Sequence, residues 1–332
     1  MPLGFVAQIL LRFGIGARWR HGAFPGRVPP MAWCPRSLRG VRDKHSYSEY
    51  KTCTMIRYRP AAPLDALVQC FWWSQREVPQ DYCEHILPSG GAQLVVALHD
   101  TPITYRSCIP PAGWMTWSGG IVHGPQSVAY IAGPKPTGAV VGVAFRAGAA
   151  GAVLGVSPRE LADQHVDLQA LWGTRGKELL ERLRATANPK QIFRILEHSL
   201  KAQLQPSLLM HPAVARAITT HAQSVAPVRM VDLQRAAGYS PRHFIDLFKA
   251  SVGLTPKQYF RIQRFNAVLR GIAPDAHFDL AQIAASVGYS DQAHLTREFR
   301  EFAGFTPTQY RPSGPDRPMH HKAVPALQHS NR

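Results

Sequence analysis

Gly238 to Tyr259 reads GYSPRHFIDLFKASVGLTPKQY, and Gly288 to Tyr310 reads GYSDQAHLTREFREFAGFTPTQY. The stretches align at an offset of 50 residues that becomes 51 after a single insertion. Leu233, Gly238, Tyr239 and Ser240 recur as Ile283, Gly288, Tyr289 and Ser290. Beyond the insertion, Phe244, Phe248, Gly253, Thr255, Pro256, Gln258 and Tyr259 recur as Leu295, Phe299, Gly304, Thr306, Pro307, Gln309 and Tyr310. A solenoid needs at least about three repeats to bury its faces, so two copies mean a pair of similar small units.

Each unit has the signals of a helix, a glycine-centred turn and a second helix, the order of a helix-turn-helix. In the first, a helix from Val231 to Ala237 is expected to stop at Gly238, which tolerates a left-handed C-terminal conformation, and Ser240 with Pro241 to start the next helix. In the second, a helix from Leu280 to Val287 stops at Gly288, and Ser290 is expected to cap a helix running through Phe302. Phe244, Leu247 and Phe248, and likewise Leu295, Phe299 and Phe302, fall on one helical face and predict the core. Between the units, Pro256 to Ile272 reads as one linking helix with Tyr259, Phe260, Phe265, Val268, Leu269 and Ile272 inward.

The opposite faces carry Arg242, His243, Asp246 and Lys249 in the first unit, and Gln292, Ala293, Thr296, Arg297 and Arg300 in the second. An α-helix fits the major groove of double-stranded DNA, where Arg reads guanine, Gln reads adenine and Thr touches the thymine methyl. Lys257, Arg261 and Arg264, on the polar side of the linking helix, and Arg300 have the chemistry for phosphates. His243 and His294 suit surface or capping roles, with base reading as the alternative and His243 a candidate base contact, and neither has metal-ligand company.

The motif pairs G-Y-S-P-R-H-F with V-G-L-T-P-K-Q-Y, and G-Y-S-D-Q-A-H-L-T-R-E-F with A-G-F-T-P-T-Q-Y, resemble the AraC/XylS family of bacterial transcription regulators. The resemblance implies two helix-turn-helix subdomains joined by a linking helix, covering nearly all of 212–310. Carried over residue by residue, it implies base-facing roles for Arg242, Ile245 and Asp246, and for Gln292, Ala293, Thr296 and Arg297. Ile245 and Asp246 depart from the polar or basic residues often found there. A carboxylate is repelled by phosphates and can only accept, for example from cytosine N4. Arg297 is the strongest candidate reader. Upstream, Tyr58-Arg59-Pro60, Leu87-Pro88-Ser89-Gly90-Gly91, Gly142-Val143-Ala144-Phe145-Arg146 and Leu171-Trp172-Gly173 are similar to segments of the sensor-like domain in a subgroup of these regulators.

Working outward, 332 residues with 45% hydrophobic content suit two domains with ordinary cores. Short β-type runs bounded by Pro and Gly occupy Val68 to Ser74, His85 to Leu87, Ala92 to Leu98, Ser127 to Ile131 and Ala139 to Phe145. They predict an antiparallel sandwich or barrel. Gly176 to Thr186 and Pro189 to Leu204 read as amphipathic helices, the second announced by Asn188-Pro189. The expected class is therefore α+β: a β-rich sensor or dimerisation domain over 55–175, a helical connector over 176–211, an all-α double helix-turn-helix over 212–310, and a disordered tail over 311–332. Residues 1–54 lack sustained periodicity and hold +7 of the formal net charge of +17. Three readings stand for them: a transit peptide, a functional basic arm, or the product of an upstream start codon with Met55 as the native beginning. Since 212–310 carries only +4, global charge supports a nucleic-acid partner weakly.

Five cysteines without a C-x-x-C pair fit neither a disulfide framework nor a zinc knuckle and suit a reducing cytoplasm. No apolar stretch reaches the roughly 18 residues of a membrane span, so no membrane partner is expected. Cys83-Glu84-His85 could be imagined as part of a metal site in a cupin-like barrel, but the supporting ligand pattern is missing. Phe71, Trp72, Trp73, Trp114 and Trp117 either line a ligand pocket or pack as core. Arg146 is expected to pair an internal carboxylate, with an anionic effector as the alternative. No nucleophile elbow, phosphate loop or dinucleotide fingerprint is present, so neither enzymatic activity nor a cofactor is expected. The expectation is a sequence-specific DNA-binding regulator, with RNA polymerase, a small-molecule effector of unknown identity and a second copy of the chain as further partners. The rival reading is a small-molecule enzyme or metal-dependent cupin with incidental DNA binding.

Overall fold

The computed structural model describes residues 43–44, 53–76, 82–100, 102–108, 113–133, 138–224, 228–272, 278–314 and 317–323. Among these, a seven-stranded antiparallel sheet runs β1 (Asp43–Lys44), β2 (Cys53–Tyr58), β3 (Val68–Arg76), β10 (Gly138–Phe145), β5 (Gln93–Ala97), β8 (Gly120–His123) and β11 (His165–Asp167). A five-stranded sheet runs β12 (His320–Ala323), β4 (Cys83–Ile86), β9 (Tyr130–Ala132), β6 (Ile103–Ser107) and β7 (Trp114–Trp117). The alternation of a strand divides the larger sheet's faces. Phe71, Leu94, Val96, Val141 and Val143 enter one core, while Val95, Ala97 and the partly buried Trp72 and Val140 join Ile103, Tyr105 and Tyr130 in the smaller core between the sheets. Trp72 lies flat over Gly142 on the neighbouring strand, where an added Cβ would stand 2.2 Å from the indole ring.

The five sequence-predicted strands are all present, with ends shifted by up to three residues. The first sheet begins upstream of the expected boundary: Met55 sits inside β2, and Asp43 pairs with Met55. The rest of 1–52 lies outside the described residues. The expected connector is also corrected. Helices α1 (Ala150–Leu154), α2 (Pro158–Leu161), α3 (Leu168–Trp172), α4 (Thr174–Arg184) and α5 (Pro189–Ala202) form a third layer. Leu179, Leu183, Ile192, Phe193, Leu196 and Leu200 share one core with Phe71 and Val143. An apolar stripe of that width has to be buried, and the outer face of the larger sheet is what it covers.

The C-terminal half holds α6 (Pro212–Gln223), α7 (Met230–Ala237), α8 (Pro241–Val252), α9 (Pro256–Gly271), α10 (Leu280–Val287) and α11 (Gln292–Ala303). All six residues expected to face inward from the linking helix are buried. Its other flank docks the N-terminal half: Gln263 Nε2 and Asn266 Nδ2 both donate to the Ser89 carbonyl, at 3.2 and 3.1 Å. Leu87 and Ala129 from the sandwich enter the helical core. The helix is thus buried nearly all round. No helix among the described residues is long and apolar enough to cross a membrane.

The tail expectation is overturned for the described part of 311–332. His320–Ala323 forms the edge strand β12, and Met319 is buried in the helical core. Polar and proline-rich composition suggested disorder, but β4 offered an open edge and pairing satisfied it. Residues 324–332 lie outside the described residues.

Candidate nucleic-acid interface

The local chemistry of the two units differs at one cap. Gly238 adopts φ +74° and Gly288 φ +83°, the left-handed stop that only glycine takes without steric cost. Ser240 Oγ accepts from the His243 amide at 3.3 Å to begin α8. In the second unit Ser290 is not the N-cap: the inserted Asp291 takes the position, its carboxylate accepting from the His294 amide at 2.6 Å while Ser290 Oγ donates to it. An ionised Asp suits the positive helix terminus, and that amide bond leads in holding its pKa below the usual carboxylate value. Thr255–Gln258 and Thr306–Gln309 both make capping boxes. The first opens a helix of 16 residues, the second only a 3-10 turn of 3.

Arg242, His243 and Asp246 on α8, and Gln292, Ala293 and Arg297 on α11, are exposed, whereas Ile245 and Thr296 are half-buried. Thr296 Oγ1 donates to the Gln292 carbonyl at 2.9 Å, so its hydrogen is already committed within the helix. His294 fills a local role, with its Nδ1 3.1 Å from Ser290 Oγ and its ring edge-on to Tyr289. Both second helices contact the N-terminal half through their C-terminal ends. Ser157 Oγ donates to the Ala250 carbonyl at 3.2 Å, and the Ala129 amide to the Phe302 carbonyl at 3.1 Å. Their N-terminal ends, the ones that reach base edges in such motifs, stay clear.

The expected phosphate residues divide. Lys257 and Arg300 are exposed. Arg261 and Arg264 have another occupation: both reach the buried Glu298 carboxylate, at 2.7 and 2.9 Å, and Arg261 also pairs with Glu301. Tyr289 adds a hydroxyl donor to Glu298 at 2.7 Å. Arg264 lies over the Tyr289 ring, 4.4 Å from its centroid. Burial pushes the Glu298 pKa up, but the bonds from Arg261, Tyr289 and Arg264 outweigh it and hold the carboxyl below its ordinary value. These contacts pin α11 to the linking helix. Arg261 with Arg264, and Glu298 with Glu301, stand three residues apart, so each pair lies on one face of its helix.

Between the two sheets lies a cavity of about 120 Å³, lined by Trp72, Ser74, Gln93, Tyr105, His123 and Tyr130 among others. At roughly 10–15 Å³ per water it is roomy enough for a small molecule. Ser74 Oγ and His123 Nε2 are buried in its wall with no hydrogen-bond partner among the described residues. On the far side of that ring, His123 Nδ1 stands 2.7 Å from His165 Nδ1. Burial lowers both pKa values, that of His165 to about 4. Imidazoles kept neutral by folding contribute stability that is complete above their unfolded pKa of about 6.5 and is lost as pH falls through the window towards about 4. The unfolding midpoint should therefore drop between pH 7 and pH 5, and less steeply in His165→Asn. Equal slopes in the two proteins would show that the pair does not carry the effect.

Phe71 and Trp73 are core, Trp72 lines the cavity, Trp117 packs against the small core and Trp114 is exposed. Arg146 is corrected: Nε donates to the backbone carbonyl of Asp65 at 3.0 Å, not to a carboxylate. Glu84, the central residue of Cys83-Glu84-His85, is fully buried and faces Arg317 and His320 at 3.4 and 3.2 Å.

A family model described as a helix-turn-helix domain matches residues 233–313, and a domain of unknown function matches 56–167. The transcriptional regulator LumQ of Photobacterium leiognathi is 31% identical over 84 residues, 25% of this chain and 34% of LumQ. An AraC-like transcription regulator of Streptomyces lividans is 33% identical over 104 residues, 31% of this chain and 34% of that protein. The chain thus spans about a third of the length of these relatives. A structure of ToxT from Vibrio cholerae matches at 12% identity and a TM-score of 0.40, over 72% of this chain and 96% of that one.

Proposed function

We propose, from a C-terminal region that is an AraC-type helix-turn-helix domain, that this chain regulates transcription by binding double-stranded DNA in a sequence-specific way. The observation that carries the reading is the pair of recognition helices held by one linking helix with their N-terminal ends exposed. Sixteen residues at about 1.5 Å each span roughly 24 Å, and the widths of the flanking helices bring the readers to successive major grooves about 34 Å apart. Arg242, His243 and Asp246 face one half-site, and Gln292, Ala293, Thr296 and Arg297 the other, with Lys257 and Arg300 on phosphates. The cavity between the sheets is the place for a small-molecule effector. RNA polymerase and a second copy of the chain are the protein partners that such a role brings.

The test is footprinting of sites selected from genomic fragments. One monomer should protect a non-palindromic site of about 20 base pairs, and Lys257→Ala should lower the log-log salt slope by about 1 on every sequence alike. Protection without sequence preference, or no protection at all, would overturn the reading.

A further inference from the structure

The segment that follows the second helix-turn-helix unit returns to the N-terminal half. The Leu87 amide donates to the Met319 carbonyl at 2.8 Å, and β12 then pairs with β4 in the register His320 with Ile86 and His321 with His85. Charge complements the pairing. The sandwich supplies the fully buried Glu84, and the returning segment supplies Arg317 and His320. The helical half holds the same segment from its other side. Tyr310 Oη donates to the Pro318 carbonyl at 2.7 Å, His321 packs on Phe305 with ring centroids 4.0 Å apart, and Met319 is buried in the helical core.

Three residues of this segment also wall the cavity between the sheets: Arg317, Met319 and His320. Met319 in addition lines a larger space, about 820 Å³, that lies between the halves beside Tyr259, Gln263 and Asn266 of the linking helix. One short stretch therefore touches the cavity, the buried carboxylate of the sandwich and the core of the helical half.

We infer that residues 317–323 are a strap that couples the contents of the cavity to the DNA-binding half. The inference rests on the function proposed above. An occupant that presses on Arg317 or His320 must shift their ties to Glu84. The strap is fixed at Met319 and His321 to the helical core behind the second unit, so the displacement reaches the seat of α11 rather than dissipating in solvent.

The experiment is a double-mutant cycle in the full chain. Ser74→Leu fills the cavity in place of an occupant, and Arg317→Ala breaks the tie to Glu84. Val140→Ile, which adds a methyl group to the same wall, replaces Ser74→Leu if that variant does not fold. DNA affinity and hydrogen exchange at 317–323 are measured for the parent, both single variants and the double variant. The expected result is that cavity filling changes exchange in the strap and changes affinity, and that the affinity change depends on Arg317 by at least about threefold. Additive effects on affinity, or unchanged exchange at 317–323 on filling the cavity, would overturn the strap. A parent without specific DNA binding would overturn the proposed function instead, and the exchange measurement would still decide whether filling the cavity moves the strap.

Discussion

Arg297→Ala should cost about 1–3 kcal/mol in DNA affinity and relax the base preference at one or two positions in only one half of the site. Arg297 is exposed on the first turns of α11, on the side opposite Leu295 and Phe299, which are buried. A guanidinium there can present two parallel donors to guanine O6 and N7, which no other base pair matches. The first unit has poorer chemistry, because Asp246 is exposed at the corresponding face and a carboxylate adds repulsion to the phosphates. A selection on randomised sites separates the alternatives. Equal loss on every sequence would make Arg297 a phosphate contact, and loss in the half facing Arg242 would put the wrong helix in the groove.

Glu298→Ala should lower the stability of the C-terminal half by about 3 kcal/mol, since removing one partner from a buried ion pair leaves the others desolvated and unpaired. The carboxylate serves Arg261, Arg264 and Tyr289 together, and among the described residues only Arg261 has a second acid, Glu301. Both arginines are about a quarter exposed, at 25% and 26%, so water will relieve part of the cost and the figure is an upper one. The loss should appear in urea unfolding, and in the footprint as weakened protection of the half facing Gln292 and Arg297, with the half facing Arg242 retained. An unchanged midpoint together with an unchanged footprint would show that the apolar contacts of Phe299 and Phe302 seat the helix by themselves. Acid is the milder version of the same test. A carboxylate whose folded pKa is depressed contributes above its unfolded value of about 4.3, and that contribution disappears as pH falls through the folded value.

The sequence by itself determined the two helix-turn-helix units, their linking helix and the polar faces of the second helices. The signals are local: a glycine at a left-handed stop, a hydroxyl or carboxylate three residues ahead of the amide it caps, an apolar stripe with helical period. Each is decided within one or two turns of chain, so reading along the chain finds it. Even the misplaced cap was an error of one residue, caused by an insertion that offered Asp291 beside Ser290. Only the tertiary structure decided what joins residues far apart. The acidic partners of Arg261 lie 37 and 40 positions away, and the basic partners of Glu84 233 and 236. Exposed arginines and arginines paired across a helix interface have the same local pattern, so Arg261 and Arg264 read as phosphate ligands until Glu298 was placed against them. The tail and the third layer of helices follow the same rule. A polar strand orders when a sheet edge is left open for it, and an amphipathic helix joins whichever apolar face the topology leaves uncovered. Neither face nor edge is written in the segment that fills it.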